Sequence, residues 1–502
     1  MTRTSVARMV SALTLLAALA AAAAIPLAHC RKSDKAETGL QGEVTAADVA
    51  SGANKTATNC NTDLVGQYQG EGASWQMTAW KNCAYFDQRK AGNLKNPGTV
   101  AVDVSDPVHP RATAWLADTA MIDPWESLKV NAKRQLLAAD QGTCCGPGVA
   151  GPGFSIYDVS SDCAHPVLKA SVNIPGALGH AGQWAPDGNT YYYSGTVVDT
   201  SDASNPKKID VTWPQTVHDL EVSRDGNLIY GAVAGGFVPG TINGLVILDV
   251  SDIQARKPNP QMRVVSRLTW DDGSIIAQNA LPVTIAGKPY VIFTDEAGAG
   301  SFLGQCTAGK SGQGYPRIID VSDPKNPKTV AKVQMDVADP ENCQRSISLK
   351  MTSGATSTFG YSCHYCNVDD ADDAKILACN CFAAGLRVFD ISNVNAIREI
   401  GYFKPPAQGT KVLPGSQYAS LNATIDRPID WASSKPSFPK DRGMTSGDIW
   451  TTAQDNGFMV VKLDAHATAT SGSGCGSIDP SVGGLLVFGL MEAMRRRRSR
   501  PR

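Results

Sequence analysis

The chain lacks the motifs that announce the common serine hydrolases and zinc proteases. No Gly-x-Ser-x-Gly elbow and no His-Glu-x-x-His occurs in its 502 residues, which speaks against those classes. It also lacks a charge surplus. Lys and Arg number 46 against 47 Asp and Glu, and a near-neutral fold offers no broad footprint for nucleic acid. From Cys60 to about Leu463 almost no stretch carries a helical apolar period. Short runs bounded by Gly, Pro, Asn and Asp replace it, the mark of an all-β chain. Histidine is scarce at seven residues, so any that fall in register are informative.

What the chain has is repetition. A strand rich in β-branched residues ends in an Asp-x-Ser-Asp turn at 100–107, 155–162, 196–202, 246–252, 317–324 and 387–393. Most copies lead into a proline and a new apolar run, as in Asn326-Pro327 to Val333. Self-similarity at roughly 40–75 residues signals a propeller or solenoid. Upstream of each copy lie two further strands. The clearest pair is His218–Ser223 and Asn227–Gly231, joined by Arg224-Asp225-Gly226, and Asp-Gly between alternating runs is a strong hairpin signal. A seventh unit ends at Gly457–Asp464 without an outer strand, and Asp63–Tyr68 resembles the missing piece, as Ile397–Phe403 does in its own unit. These features predict a seven-bladed β-propeller of four-stranded antiparallel blades. The N-terminal strand completes the last blade, and closure of that kind protects sheet edges.

The unit resembles the LVIVD repeat of exported propeller proteins over about 60–464, which implies a fold and a surface location but no activity. The termini fit export. Arg3 and Arg8 precede an Ala- and Leu-rich run to about Ala28, the layout of a signal peptide over 1–29. His29 stands where a lipoprotein motif before Cys30 wants a small residue. Residues 30–59 read as a flexible linker, 60–465 as the propeller and 466–481 as a second linker. The segment 482–502 is apolar and then arginine-rich. Together with Cys475 it resembles the MYXO-CTERM sorting tail, which implies processing and lipid attachment at Cys475 and anchoring at the cell surface or outer membrane. A basic tail on a periplasmic or secreted soluble protein is the alternative.

Export makes 13 cysteines intelligible as disulfides. Eleven lie in the body of the chain, an odd number, which implies at least one free or unusual thiol. Cys60 with Cys83 and Cys306 with Cys343 are plausible partners by proximity, and Cys144, Cys145 and Cys163 form a further cluster. Cys363, Cys366, Cys379 and Cys381 flank a hairpin tip. They read as two cross-strand disulfides or as a thiolate site for zinc. Within the tip, Asp369 to Asp373 space oxygen donors as calcium sites do, but without the glycine and glutamate of an EF-hand loop.

In a propeller the first strand of each blade lines the channel. The residues opening each unit are Trp75 and Gln76, Trp125 and Glu126, His180 and Gln183, His218 and Asp219, Gln278 and Asn279, Arg345 and Ser346, and Gln417 and Ser420. Imidazole is the commonest ligand for transition metals, so His180 and His218, with Asp219 and Glu221, can hold copper or zinc near the axis. A histidine at a strand start serves equally well as a hydrogen-bonding partner of the neighbouring blade. The segment His218–Gly226 is similar to a stretch of the methanethiol oxidase (selenium-binding) propellers, and that resemblance implies a histidine copper site. Two functions follow. One is a monomeric binding scaffold for a protein, glycan or small molecule, with the membrane reached only through the tail. The other is a metal-dependent oxidoreductase.

Overall fold

The computed structural model describes residues 25–88, 95–142, 153–175, 179–234, 243–272, 274–298, 306–348, 359–408, 410–412, 424–426 and 429–469. Residues 1–24, Cys144, Cys145, Gln417, Ser420, Cys475 and the tail lie outside them. No helix among the described residues is long and apolar enough to cross a membrane.

Seven antiparallel sheets form the blades. Blade one is Met77–Trp80, Cys83–Asp87, Thr99–Asp103 and Arg111–Leu116, and blade two is Lys129–Asn131, Leu136–Asp140, Gly153–Asp158 and Val167–Asn173. Blade three is Gly182–Trp184, Thr190–Tyr193, Thr196–Asp199 and Lys207–Lys208, and blade four is Leu220–Val222, Leu228–Val233, Gly244–Asp249 and Arg263–Thr269. Blade five opens with a long hairpin, Ser274–Ile285 and Lys288–Gly298, and continues with Arg317–Asp320 and Lys328–Lys332. Blade six is Tyr365–Val368, Ile376–Asn380, Leu386–Asp390 and Arg398–Lys404. Blade seven is Ile449–Ala453 and Gly457–Leu463, with single bridges from Ala432 and Ser437 marking its inner edge.

The repeated phrase is a turn device. At every copy the first aspartate accepts the N–H of the serine two residues on, as at Asp103–Ser105 (2.9 Å), Asp320–Ser322 (2.8 Å) and Asp390–Ser392 (3.0 Å). A side chain that mimics a backbone turn ends the third strand and redirects the chain toward the fourth. In most copies the second acidic or amide residue repeats the move, as Asp323 does with the N–H of Lys325 and Asn393 with that of Asn395. The inner strands are buried on both faces, whereas outer strands such as Val167–Asn173 are largely exposed.

Closure follows the expected route. Thr62–Tyr68 pairs with Gly457–Leu463 and becomes the outer strand of blade seven. Just before it, Thr58–Cys60 adds a fifth strand to blade six. Gly66 is required there by packing: a Cβ would lie 2.1 Å from the carbonyl oxygen of Pro107 in the turn of blade one.

The segment expected as a flexible linker is packed instead. Thr45 and Asp48 form a capping box on the short helix Ala46–Ser51. Glu37 pairs with Arg387 (2.7 Å) and Lys404 (2.8 Å) of blade six, and Gln41 reaches Glu399. Cys30 bonds Cys60, which corrects the pairing of Cys60 with Cys83 and accounts for the odd cysteine count. Cys83 joins Cys163 across blades one and two, because the turn of blade two lies over the second strand of blade one. Cys306–Cys343 forms as expected. Cys363–Cys381 and Cys366–Cys379 consume all four thiols at the blade-six hairpin, so a zinc thiolate site has no ligands left. In the acidic tip, Asp370 meets Lys440, Asp373 meets Lys375 at 2.9 Å, and Asp369 accepts two backbone N–H groups.

Candidate metal centre on the propeller axis

The start of each inner strand points its side chains into the channel, and five ligand-type residues converge there. Glu126 precedes the inner strand of blade two, His180 that of blade three, His218 that of blade four and His364 that of blade six. Glu296 comes from the second strand of the long blade-five hairpin. His180 Nε2 lies 2.9 Å from His218 Nε2 and 3.3 Å from Glu126 Oε2. His364 Nε2 lies 3.0 Å from Glu126 Oε1 and 3.2 Å from Glu296 Oε2. His218 Nε2 stands 3.9 Å from Glu296 Oε1.

Two of the imidazoles are oriented by the backbone. His218 Nδ1 lies 2.7 Å from the carbonyl oxygen of Ala277, and His364 Nδ1 lies 2.5 Å from that of Ser433. A carbonyl only accepts, so in both rings Nδ1 carries the proton and Nε2 faces the channel. This backbone anchoring is the usual outer support of a metal-bound histidine. His218 thus contacts the neighbouring blade through one nitrogen and presents the other to the axis.

Burial sharpens the electrostatics. The side chains of His180 and His218 are 13% and 10% exposed, and His364 is fully enclosed. Burial alone raises a carboxylate, yet His180 and His364 hold Glu126 well below its usual range. Burial likewise lowers an imidazolium, but Glu126 and Glu296 push His364 up to about 10. Aromatic rings wall the cluster. Trp75 and Phe382 lie 5.5 and 5.2 Å from the His364 ring, and Trp125 lies 5.8 Å from that of His180. Trp125 adopts φ 49°, a left-handed conformation that bulky residues avoid, immediately before Glu126.

Below the cluster a polar column continues along the axis. Gln278 Nε2 donates to Glu126 Oε2 (2.8 Å), while the Tyr365 hydroxyl (2.7 Å) and Asn279 Nδ2 (2.9 Å) donate to Asp219. Burial raises Asp219. Further down, Glu221 takes Gln183 Nε2 (2.6 Å) and Lys435 Nζ (2.8 Å). Gln76 Oε1 accepts the N–H of Lys435.

The structure therefore gathers Glu126, His180, His218, Asp219, Gln278 and Asn279 at the axis, with Trp75 and Trp125 in the wall. Gln76, Gln183 and Glu221 lie lower down. Arg345 is a correction. It sits in the helix Cys343–Ser348, half exposed and paired with Glu43 at 2.6 Å, because blade six opens at His364 instead. Ser346 is buried in the same helix. His364, Glu296, Tyr365 and Lys435 were missed. His364 could have been found, since it precedes its inner strand by one residue, much as His218 precedes its own by two.

No protein-family model and no curated protein sequence matches the chain. Among solved structures it is similar to a chain of Kuenenia stuttgartiensis hydrazine synthase, at 13% identity and a TM-score of 0.47 over 80% of this chain and 97% of that one.

Proposed function

We propose that this propeller is a metal-dependent oxidoreductase whose centre is the axial cluster. The observation that carries the reading is the meeting of three imidazole Nε2 atoms with two glutamates. Here His180 and His218 aim Nε2 at each other across 2.9 Å, which admits one shared proton or one cation. Two nitrogens bound side by side at right angles to one ion, with bonds of ~2.0–2.1 Å, stand ~2.9 Å apart. An imidazole and carboxylate set suits zinc, copper, iron or manganese. A bound ion of this kind supplies Lewis-acid or one-electron chemistry.

The residues of this chain do the rest. Ala277 and Ser433 carbonyls fix the rings, Gln278 orients Glu126, and the aromatic wall limits water. The small exposure of His180 and His218 favours a substrate of a few heavy atoms over a protein or glycan. The propeller fold by itself suits a scaffold or an enzyme. Export and surface anchoring belong to the same proposal, supported by the five disulfides among the described residues, bonds that persist in oxidising compartments.

Elemental analysis of protein expressed in a periplasm tests the reading. We expect a stoichiometric transition metal whose content falls in His180→Ala and His218→Ala with the fold intact by circular dichroism. Protein that is purified without metal, and that takes up no copper, zinc, iron or manganese on dialysis, would leave the binding-scaffold reading in its place.

A further inference from the structure

The axial donors divide into two triads that share one residue. Glu126, His180 and His218 make one, and Glu126, Glu296 and His364 make the other; within each, the ligand atoms lie within 4.8 Å of one another. Glu126 spans the two with separate oxygens. Its Oε2 lies 3.3 Å from His180 Nε2 and 4.0 Å from His218 Nε2, while its Oε1 lies 3.0 Å from His364 Nε2. Glu296 spans the same gap, with Oε1 3.9 Å from His218 Nε2 and Oε2 3.2 Å from His364 Nε2.

An ion with bonds of ~2.1 Å joins donors no more than ~4.2 Å apart. The histidine–histidine and histidine–carboxylate contacts of both triads fall inside that limit. Two carboxylates that each turn one oxygen to either side have the geometry with which carboxylates bridge paired ions, which sit ~3.5–4 Å apart in two-metal sites. Each half also owns an imidazole fixed by a backbone carbonyl, His218 by Ala277 and His364 by Ser433. The two halves are thus built independently and joined through the glutamates.

We infer that the axis holds two divalent transition-metal ions bridged by Glu126 and Glu296, one bound by His180 and His218 and the other by His364. This rests on the metal reading of the site proposed above. Glu126 Oε2 also accepts from Gln278 at 2.8 Å, which fixes the plane of the bridging carboxylate.

The test is a titration of the full chain, stripped by chelator, with Co(II), followed by visible absorption and elemental analysis. We expect two ions per chain in the wild type and one in each of His180→Ala and His364→Ala. Loading with Mn(II) should give the electron paramagnetic resonance spectrum of an exchange-coupled pair. One ion per chain, or two ions with isolated-ion spectra, would overturn the bridged pair while leaving a metal centre in place. No ion at all would overturn the pair together with the reading beneath it. If a variant fails to fold, the wild-type stoichiometry and spectrum still decide.

Discussion

Replacing Glu37 by glutamine keeps the shape of the side chain and removes its charge from a buried cluster. Arg387 is completely enclosed and Lys404 nearly so, and both lean on the Glu37 carboxylate. Burial raises that carboxyl, but Arg387 and Lys404 outweigh it and hold it at about 2, against an ordinary value of 4.5. At 1.36 kcal/mol per unit, ionised Glu37 contributes about 3 kcal/mol. Breaking a buried pair on one side costs a similar ~3–5 kcal/mol. For a cooperative unit of roughly 400 residues this lowers Tm by about 3–4 °C. The sign follows from a depressed folded-state pKa. The stabilisation is complete above pH 4.5 and fades as pH falls toward 2. Thermal melts of wild type and Glu37→Gln should therefore differ by about 3–4 °C at pH 7 and converge near pH 2. A variant as stable as wild type at pH 7, or a gap that ignores pH, would refute the packed N-terminal segment.

Three further outcomes follow from the ring and its column. Replacing Cys30 and Cys60 together by serine opens a loop of 30 residues, which costs about 4 kcal/mol by chain entropy and should appear in urea unfolding as a lower midpoint with little change in slope. Gly66→Ala forces a Cβ against the Pro107 carbonyl at the closing strand, and about 1–3 kcal/mol of lost stability is expected by calorimetry. Tyr365→Phe removes one of the side-chain donors to buried Asp219 and should cost about 1–3 kcal/mol, read in the same melts; an unchanged midpoint would show that the column is not held as described.

The architecture was legible because its signal is local and repeated. An aspartate that caps its own turn leaves the same mark six times, and Asp63–Tyr68 carries the outer-strand pattern in plain sequence. Three of the five ligand-type residues of the axial cluster were legible for the same reason, since Glu126, His180 and His218 open consecutive units. His364 was obscured by the cysteines around it, which drew attention to thiol chemistry. Glu296 was invisible to a rule that places channel residues on first strands, because the long hairpin of blade five carries its second strand to the axis. The packing of residues 30–59 against blade six left no local trace beyond the Thr45-x-x-Asp48 capping pattern. The partners of Glu37 stand 350 and 367 residues away in the chain, and only the folded ring brings them together.

The central claim is a metal centre on the propeller axis, and an anomalous difference map from crystals of the metal-loaded full chain tests it most directly. The account expects peaks at ~2.1 Å from His180 Nε2, His218 Nε2 and His364 Nε2, flanking Glu126. A map with no peak at the axis, or with its peaks elsewhere on the protein, would contradict it.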